Sequence, residues 1–162
     1  MFIIKIKHHV CSALALLFFK MLYGNRFKVG KKTTWRKGLS VMIAKTGNIT
    51  IGKKCFFNNF CSLNAHESIS IGDNTMFGEN VKIYDHNHRF SDRNKLIKDQ
   101  GFSNEKVVIG ANCWIGSNVT ILKGTRIGNG CVIGAGAVLS GIIPDNTLVR
   151  VSSDLKFEEI RG

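Results

Sequence analysis

Asp85-His86-Asn87-His88-Arg89-Phe90 is the densest run of reactive side chains in this sequence. Imidazole titrates near neutral pH, so either histidine suits proton transfer, and a neighbouring carboxylate such as Asp85 would fix which ring nitrogen carries the proton. Taken alone, the pattern has other readings. Two histidines one residue apart also suit a zinc pair, with His66, 20 residues before His86, as a third ligand. A pair of solvated loop residues is the commonest origin of an isolated His-x-His.

The other candidates are five cysteines, none of them in a C-x-x-C pair. Cys55, Cys61, Cys113 and Cys131 fall at small, inward positions of a repeat, where thiols act as small hydrophobes, and Cys11 falls in an apolar helix. That usage points to a reducing, cytoplasmic compartment and to no metal.

The repeat is what must position the histidines. Ile109, Ile115, Ile121, Ile127, Ile133 and Leu139 recur every six residues, and four of the isoleucines are followed by glycine, at Gly110, Gly116, Gly128 and Gly134. Four residues after each comes a small or branched side chain: Cys113, Val119, Thr125, Cys131 and Ala137. A unit this short cannot bury its own apolar face, so successive coils must stack. The same register runs through Ile51, Phe57 and Leu63, then Ile71, Phe77 and Ile83. From Ile71 to Ile109 is 38 residues, which is one coil of 18 and an insertion of 20 between Asp85 and Lys106. Long polar excursions from a rigid scaffold are where function tends to sit. The predicted fold is all-β: a left-handed parallel β-helix (hexapeptide solenoid) with an N-terminal amphipathic helix and a 20-residue loop insertion. Its predicted divisions are a helix over 1–23, a basic linker or capping segment over 24–46, the β-helix over 47–143 with its insertion at 85–106, and an extension over 144–162. Four or five coils leave open edges that must be covered.

The formal charge of +12 is one-sided. Residues 1–66 hold 12 Lys and Arg, and no Asp or Glu precedes Glu67. With no recognisable nucleic-acid motif, this field points to an anionic membrane or anionic substrate rather than to nucleic acid. Residues 1–23 carry helical apolar spacing, but the uncharged run, Val10 to Phe19, is half of what a bilayer span requires. Lys20 and bulky Met21-Leu22-Tyr23 stand where a signal peptide would have small residues. The helix is expected to lie at a membrane surface or against its own solenoid.

Ile109-Gly110-Ala111-Asn112-Cys113-Trp114-Ile115-Gly116 and Ile127-Gly128-Asn129-Gly130-Cys131-Val132-Ile133-Gly134-Ala135-Gly136-Ala137-Val138 closely resemble the left-handed β-helix acyltransferases that use acetyl-CoA. Within them the chain looks most like the maltose/galactoside, xenobiotic and capsule or lipopolysaccharide O-acetyltransferases, over about residues 47–148. The resemblance implies a homotrimer with active sites between subunits, and a histidine of the insertion as general base toward a sugar hydroxyl. The Asn87-His88-Arg89 context favours His88 over His86, with Asp85 beside them. Asn59, Asn87 and Arg89 are the expected acceptor contacts, and Trp114, Gly116, Ser117, Gly134, Ala135 and Arg150 the expected acetyl-CoA contacts. The family's Gly-x-Pro-Ala after the last coil is replaced by Leu148-Val149-Arg150-Val151, leaving Arg150 or Lys156 to meet the CoA phosphates.

The implied function is O-acetylation of a sugar in cell-surface polysaccharide biosynthesis, in the cytoplasm or at the inner face of the membrane. The competing readings are a xenobiotic or amino-sugar N-acetyltransferase, a zinc-binding solenoid and a non-catalytic scaffold.

Overall fold

A computed structural model describes residues 2–152, with side chains from Ser12 onward. The expectations for Cys11, for the apolar pattern of residues 2–11 and for Lys156 lie outside the described side chains.

Helix α1 (Phe2–Tyr23) is followed by a solenoid of about six turns built from three parallel sheets, the first strands of successive coils forming the first sheet, the second strands the second and the third strands the third. The first coil is β1 (Phe27–Val29), β2 (Thr34–Trp35) and β3 (Ser40–Ile43), and the second is β4 (Asn48–Ile51), β5 (Phe56–Phe57) and β6 (Ser62–Ala65). The third coil, β7 (Ser68–Ile71), β8 (Met76–Phe77) and β9 (Lys82–Tyr84), leads into a hairpin of β10 (His86–His88) and β11 (Phe102–Asn104). The solenoid resumes with β12 (Val107–Ile109), β13 (Trp114–Ile115) and β14 (Thr120–Ile121), then β15 (Arg126–Ile127), β16 (Val132–Ile133) and β17 (Val138–Leu139). It ends with β18 (Ile142–Ile143) and β19 (Leu148–Val149). Like residues stack on like: Ile51 pairs with Ile71, Ile71 with Ile109, and Ile109 with Ile127.

The side-chain alternation of a strand sends the hexad aliphatics inward, and the interior is continuous from Phe27 to Leu139. Phe57 and Phe77 stack ring on ring at 4.4 Å and 2°. Corners turn through left-handed residues, most often Asn or Gly, such as Asn74, Asn112 and Asn118 at φ 61°, 56° and 59°.

The solenoid is longer than its hexads suggested. Segment 24–46, expected as a linker or cap, is the first coil: Phe27, Trp35 and Val41 continue the inward rows, and Phe27 pairs with Ile49. At the other end β19 still pairs with β16, so 144–149 belongs to a final coil. The coil lengthens toward the N-terminus, with 22 residues from Phe27 to its partner Ile49 against 18 from Ile109 to Ile127, which is why a six-residue period does not find it.

Helix α1 closes the N-terminal end. Phe19 meets Phe27 edge-on at 5.6 Å, the Trp35 backbone N–H donates to Ser12 Oγ at 3.3 Å, and Tyr23 O–H donates to the Val41 carbonyl at 3.0 Å. The helix stops at Gly24, whose φ of +55° suits a C-terminal turn. Among the described residues no helix is long and apolar enough to cross a membrane.

Candidate active site

Strand alternation carries Asp85 into the core. Ile83 points inward and Tyr84 outward, so Asp85 occupies the next inward place, stacked over Ala65, and is fully buried. A carboxylate can occupy such a place only if it is satisfied. Oδ1 accepts from the His66 backbone N–H and Oδ2 from that of Glu67, both at 2.7 Å. Oδ1 lies 3.1 Å from His86 Nδ1. A carboxylate only accepts, so Nδ1 is the donor of this pair, and in the neutral ring that leaves the lone pair on Nε2.

The hairpin carries the histidines outward. His86 pairs with Asn104, Asn87 with Ser103 and His88 with Phe102, so His86 and His88 share one face of β10 with Asn87 on the other. His86 is nearly covered, its side chain 12% exposed. Its ring stacks on His66 at 3.7 Å and 17°, and Phe102 lies edge-on to both. Burial, and then the facing His86, push the His66 pKa below its ordinary value. His88 is exposed, 4.4 Å from the Phe102 ring, and with Asn87, Arg89, Phe90, Ser91, Ser103 and Lys123 lines an open cavity of about 470 Å³. The structure therefore gives the carboxylate to His86 and the open space to His88.

The remaining candidates sit at a different corner. Gly116, Ser117, Gly134 and Ala135 form the turn between the second and third sheets, Arg150 lies beside Gly134 in the last coil, and Trp114 stands exposed on the sheet leading there. Asn59 shares this corner, donating from Nδ2 to Glu79 Oε1 at 2.8 Å. One protomer thus brings together Asp85, His86 and His88, and separately the Trp114 to Arg150 set, but does not join the two groups.

The glycines have a structural cause. A Cβ on Gly110 would lie 2.5 Å from the Gly128 carbonyl carbon, and one on Gly116 2.6 Å from Ala135 N. Coil stacking demands them, and Gly116 is buried. Exposed Trp114, by contrast, is a large apolar side chain that its own coil leaves uncovered.

The cysteine positions are more than small. Thr33, Cys55, Thr75, Cys113 and Cys131 form one column at the corner between the first two sheets, each donating to the corner carbonyl of the following coil. The Cys113 thiol donates to Gly128 O at 3.1 Å, and the Thr75 hydroxyl to Gly110 O at 2.8 Å. Burial raises the pKa of Cys55 and Cys113, which keeps these thiols protonated as donors. At the next corner Cys61 donates to Gly78 O at 3.2 Å, its pKa pushed up to about 11 by burial. No group of three His, Cys, Asp or Glu side chains stands ready to hold a metal ion among the described residues. His66 and His86 meet face to face rather than with nitrogens converging.

Sequence reasoning named Asp85 but not its burial, and missed the ring contact of His66. Both were within reach: Asp85 lies two residues after inward Ile83, and His66 precedes His86 by one 20-residue coil.

Residues 106–141 match the bacterial transferase hexapeptide (six repeats) family. The chain is 35% identical over 127 residues to the Escherichia coli (strain K12) protein named "Putative lipopolysaccharide biosynthesis O-acetyl transferase WbbJ", covering 74% of this chain and 65% of that protein. A maltose O-acetyltransferase of Clostridium difficile 630 superposes with a TM-score of 0.66 at 34% identity, over 80% of this chain and 67% of that one. The hexapeptide-repeat acetyltransferase VCA0836 of Vibrio cholerae, solved with acetyl coenzyme A, gives a TM-score of 0.68 at 28% identity, over 79% and 68%. The chain spans 39% to 65% of the length of the first curated relatives it matches.

Proposed function

The chain belongs to the hexapeptide-repeat transferases, and on that premise we propose that it transfers an acetyl group from acetyl-CoA to a sugar hydroxyl, with His86 oriented by Asp85 as general base. The single observation that carries this reading is the carboxylate held in the core at the foot of the inserted hairpin, 3.1 Å from His86 Nδ1. Fixing that tautomer leaves Nε2 free to accept the acceptor's proton.

Acetyl-CoA supplies a thioester carbonyl when bound. His86 Nε2 takes the proton as the acceptor oxygen attacks that carbon, the C–S bond breaks, and the proton passes to the departing thiolate. General-base catalysis of this kind contributes on the order of 10²–10⁴-fold. The V. cholerae relative's complex with acetyl coenzyme A supports the donor, and the names of the E. coli and C. difficile relatives support sugar O-acetylation. Trp114, Ser117, Ala135 and Arg150 are the residues that would hold the CoA arm.

A homotrimer belongs to this reading, because it lets the His86 corner of one protomer meet the Trp114 corner of the next. The hairpin offers Phe90, Leu96 and Ile97 for a neighbour to cover. The acceptor proposed is a unit of a cell-surface polysaccharide or its lipid-linked precursor, and peripheral association with an anionic membrane is part of the proposal.

His88 as the base is the second reading, favoured by its exposure on the open cavity with Asn87 and Arg89. Thiol release from acetyl-CoA over a panel of sugars separates the two. Loss in His86→Ala and Asp85→Asn with His88→Ala active supports the dyad; loss only in His88→Ala moves the base by two residues. No turnover and no CoA binding in the unsubstituted protein would leave a non-catalytic solenoid.

A further inference from the structure

The apolar side chains that α1 leaves uncovered all lie at one end of the molecule. Ser12, Phe19 and Tyr23 turn toward the first coil, while Leu14, Leu17, Phe18, Met21 and Leu22 remain 63%, 67%, 53%, 79% and 54% exposed. Because α1 covers the open end of the solenoid, this outer face looks away from every coil.

A collar of positive charge surrounds it. Each of the three corners of the first coil is basic, with Lys31 and Lys32 at one, Arg36 and Lys37 at the next and Lys45 at the third. Lys53 and Lys54 repeat the first corner one coil on. All seven are exposed, and none is ion-paired among the described residues.

Backbone geometry marks two of these lysines as unusual. Lys32 and Lys54 have φ of 64° and 55°, at the corner position that later coils fill with Asn74, Asn112, Gly130 and Asn146. Asn and Gly enter this region readily, whereas lysine does so at a cost. The corner therefore carries Lys-Lys in both coils nearest the helix, in spite of the conformation, and Asp-Asn, Ala-Asn, Asn-Gly and Asp-Asn beyond them.

We propose that the N-terminal end of the solenoid, the outer face of α1 with its collar of lysines and Arg36, docks on the surface of an anionic lipid bilayer. The proposal gives a location and an orientation to the peripheral association included in the functional reading. An amphipathic helix lying in the interface buries its apolar face at the acyl boundary while cations around it meet the headgroups. Charge decides between occupants: a second copy docked end to end would bring two collars of the same sign together, whereas phosphate headgroups supply the missing anions.

Co-sedimentation of the full chain with vesicles of phosphatidylcholine containing about 30% phosphatidylglycerol tests this, with pure phosphatidylcholine vesicles for comparison. Binding is expected to be at least about tenfold tighter to the anionic vesicles and to weaken with added salt. Lys32→Asn/Lys54→Asn, which relaxes the backbone, and Leu17→Gln/Met21→Gln, which changes only exposed positions, should each lose binding about tenfold, while Lys98→Ser on the hairpin should not. Thermal melts of each variant establish that it is folded. Equal affinity for both vesicles, no binding to either, or unchanged binding by both double variants overturns the proposal. A fall in oligomer size in Leu17→Gln/Met21→Gln without vesicle binding overturns it in favour of a second copy. Acetyl transfer to a soluble sugar, followed on the same variants, is expected to be unaffected, so failure of docking and failure of the catalytic reading are separable.

Discussion

Asp85 has two duties at one position. Its carboxylate holds the turn at His66 and Glu67 and also meets His86 Nδ1, so on the proposed reading Asp85→Asn should act on stability and catalysis together. An amide has only one oxygen to accept with, and its NH2 would face a backbone N–H, so the lost charge-assisted bonds should cost about 2–3 kcal/mol, read by denaturant unfolding. Turnover should fall on the order of a hundredfold or more in the fraction that folds. His66 gives a second prediction. Burial holds its pKa below that of the unfolded chain, so the unfolded state takes up the proton more readily. The neutral ring's contribution is full above about pH 6.5 and is lost as pH falls through the lowered value. The melting temperature should therefore decline on acidification below that point, and His66→Asn should flatten the decline. An equal slope in the variant would place the sensitivity elsewhere.

Within the coil, the repeating unit is a donor slot as much as a small one. Cys113→Thr keeps a side-chain donor toward the Gly128 carbonyl, as threonine does at 33 and 75, and should be tolerated within about 1 kcal/mol. Cys113→Val, of the same size as threonine but without a donor, should cost about 1–3 kcal/mol, compared by urea midpoints. Gly110→Ala forces a methyl against the next coil and should destabilise by about 1–3 kcal/mol or more. Size and period announced this column in the sequence, whereas its bonds to the following coil did not show, because an acceptor 15 residues away leaves no local mark. Phe27, Trp35 and Val41 escaped notice for a related reason: their coil is longer and its corners carry lysines in place of asparagine and glycine. The histidine hairpin was legible as an interruption of 20 residues, but that His86, and not His88, reaches Asp85 left no mark in the sequence.

At the scale of the molecule, the second sheet presents Met76, Trp114 and Leu148 along its outer face, 49%, 56% and 52% exposed. Association through this face would bury them, and Met76→Lys/Leu148→Lys is expected to convert the proposed trimer of 18.0 kDa chains to monomers in sedimentation analysis. An unchanged mass would move the interface to another face. Parallel stacking has a further consequence, which is metric. Neighbouring strands lie about 4.8 Å apart, so a position in the third coil stands about 10 Å above the first, with one helix diameter, also about 10 Å, beneath that. The solenoid is thus a ruler graduated in coils, and it would set the altitude of His86 above a bilayer on which α1 is proposed to rest. Removing the second coil would lower the site by one graduation, and inserting a coil would raise it. An acceptor sugar tethered to lipid would feel each step as a change in reach, while the same sugar free in solution would not.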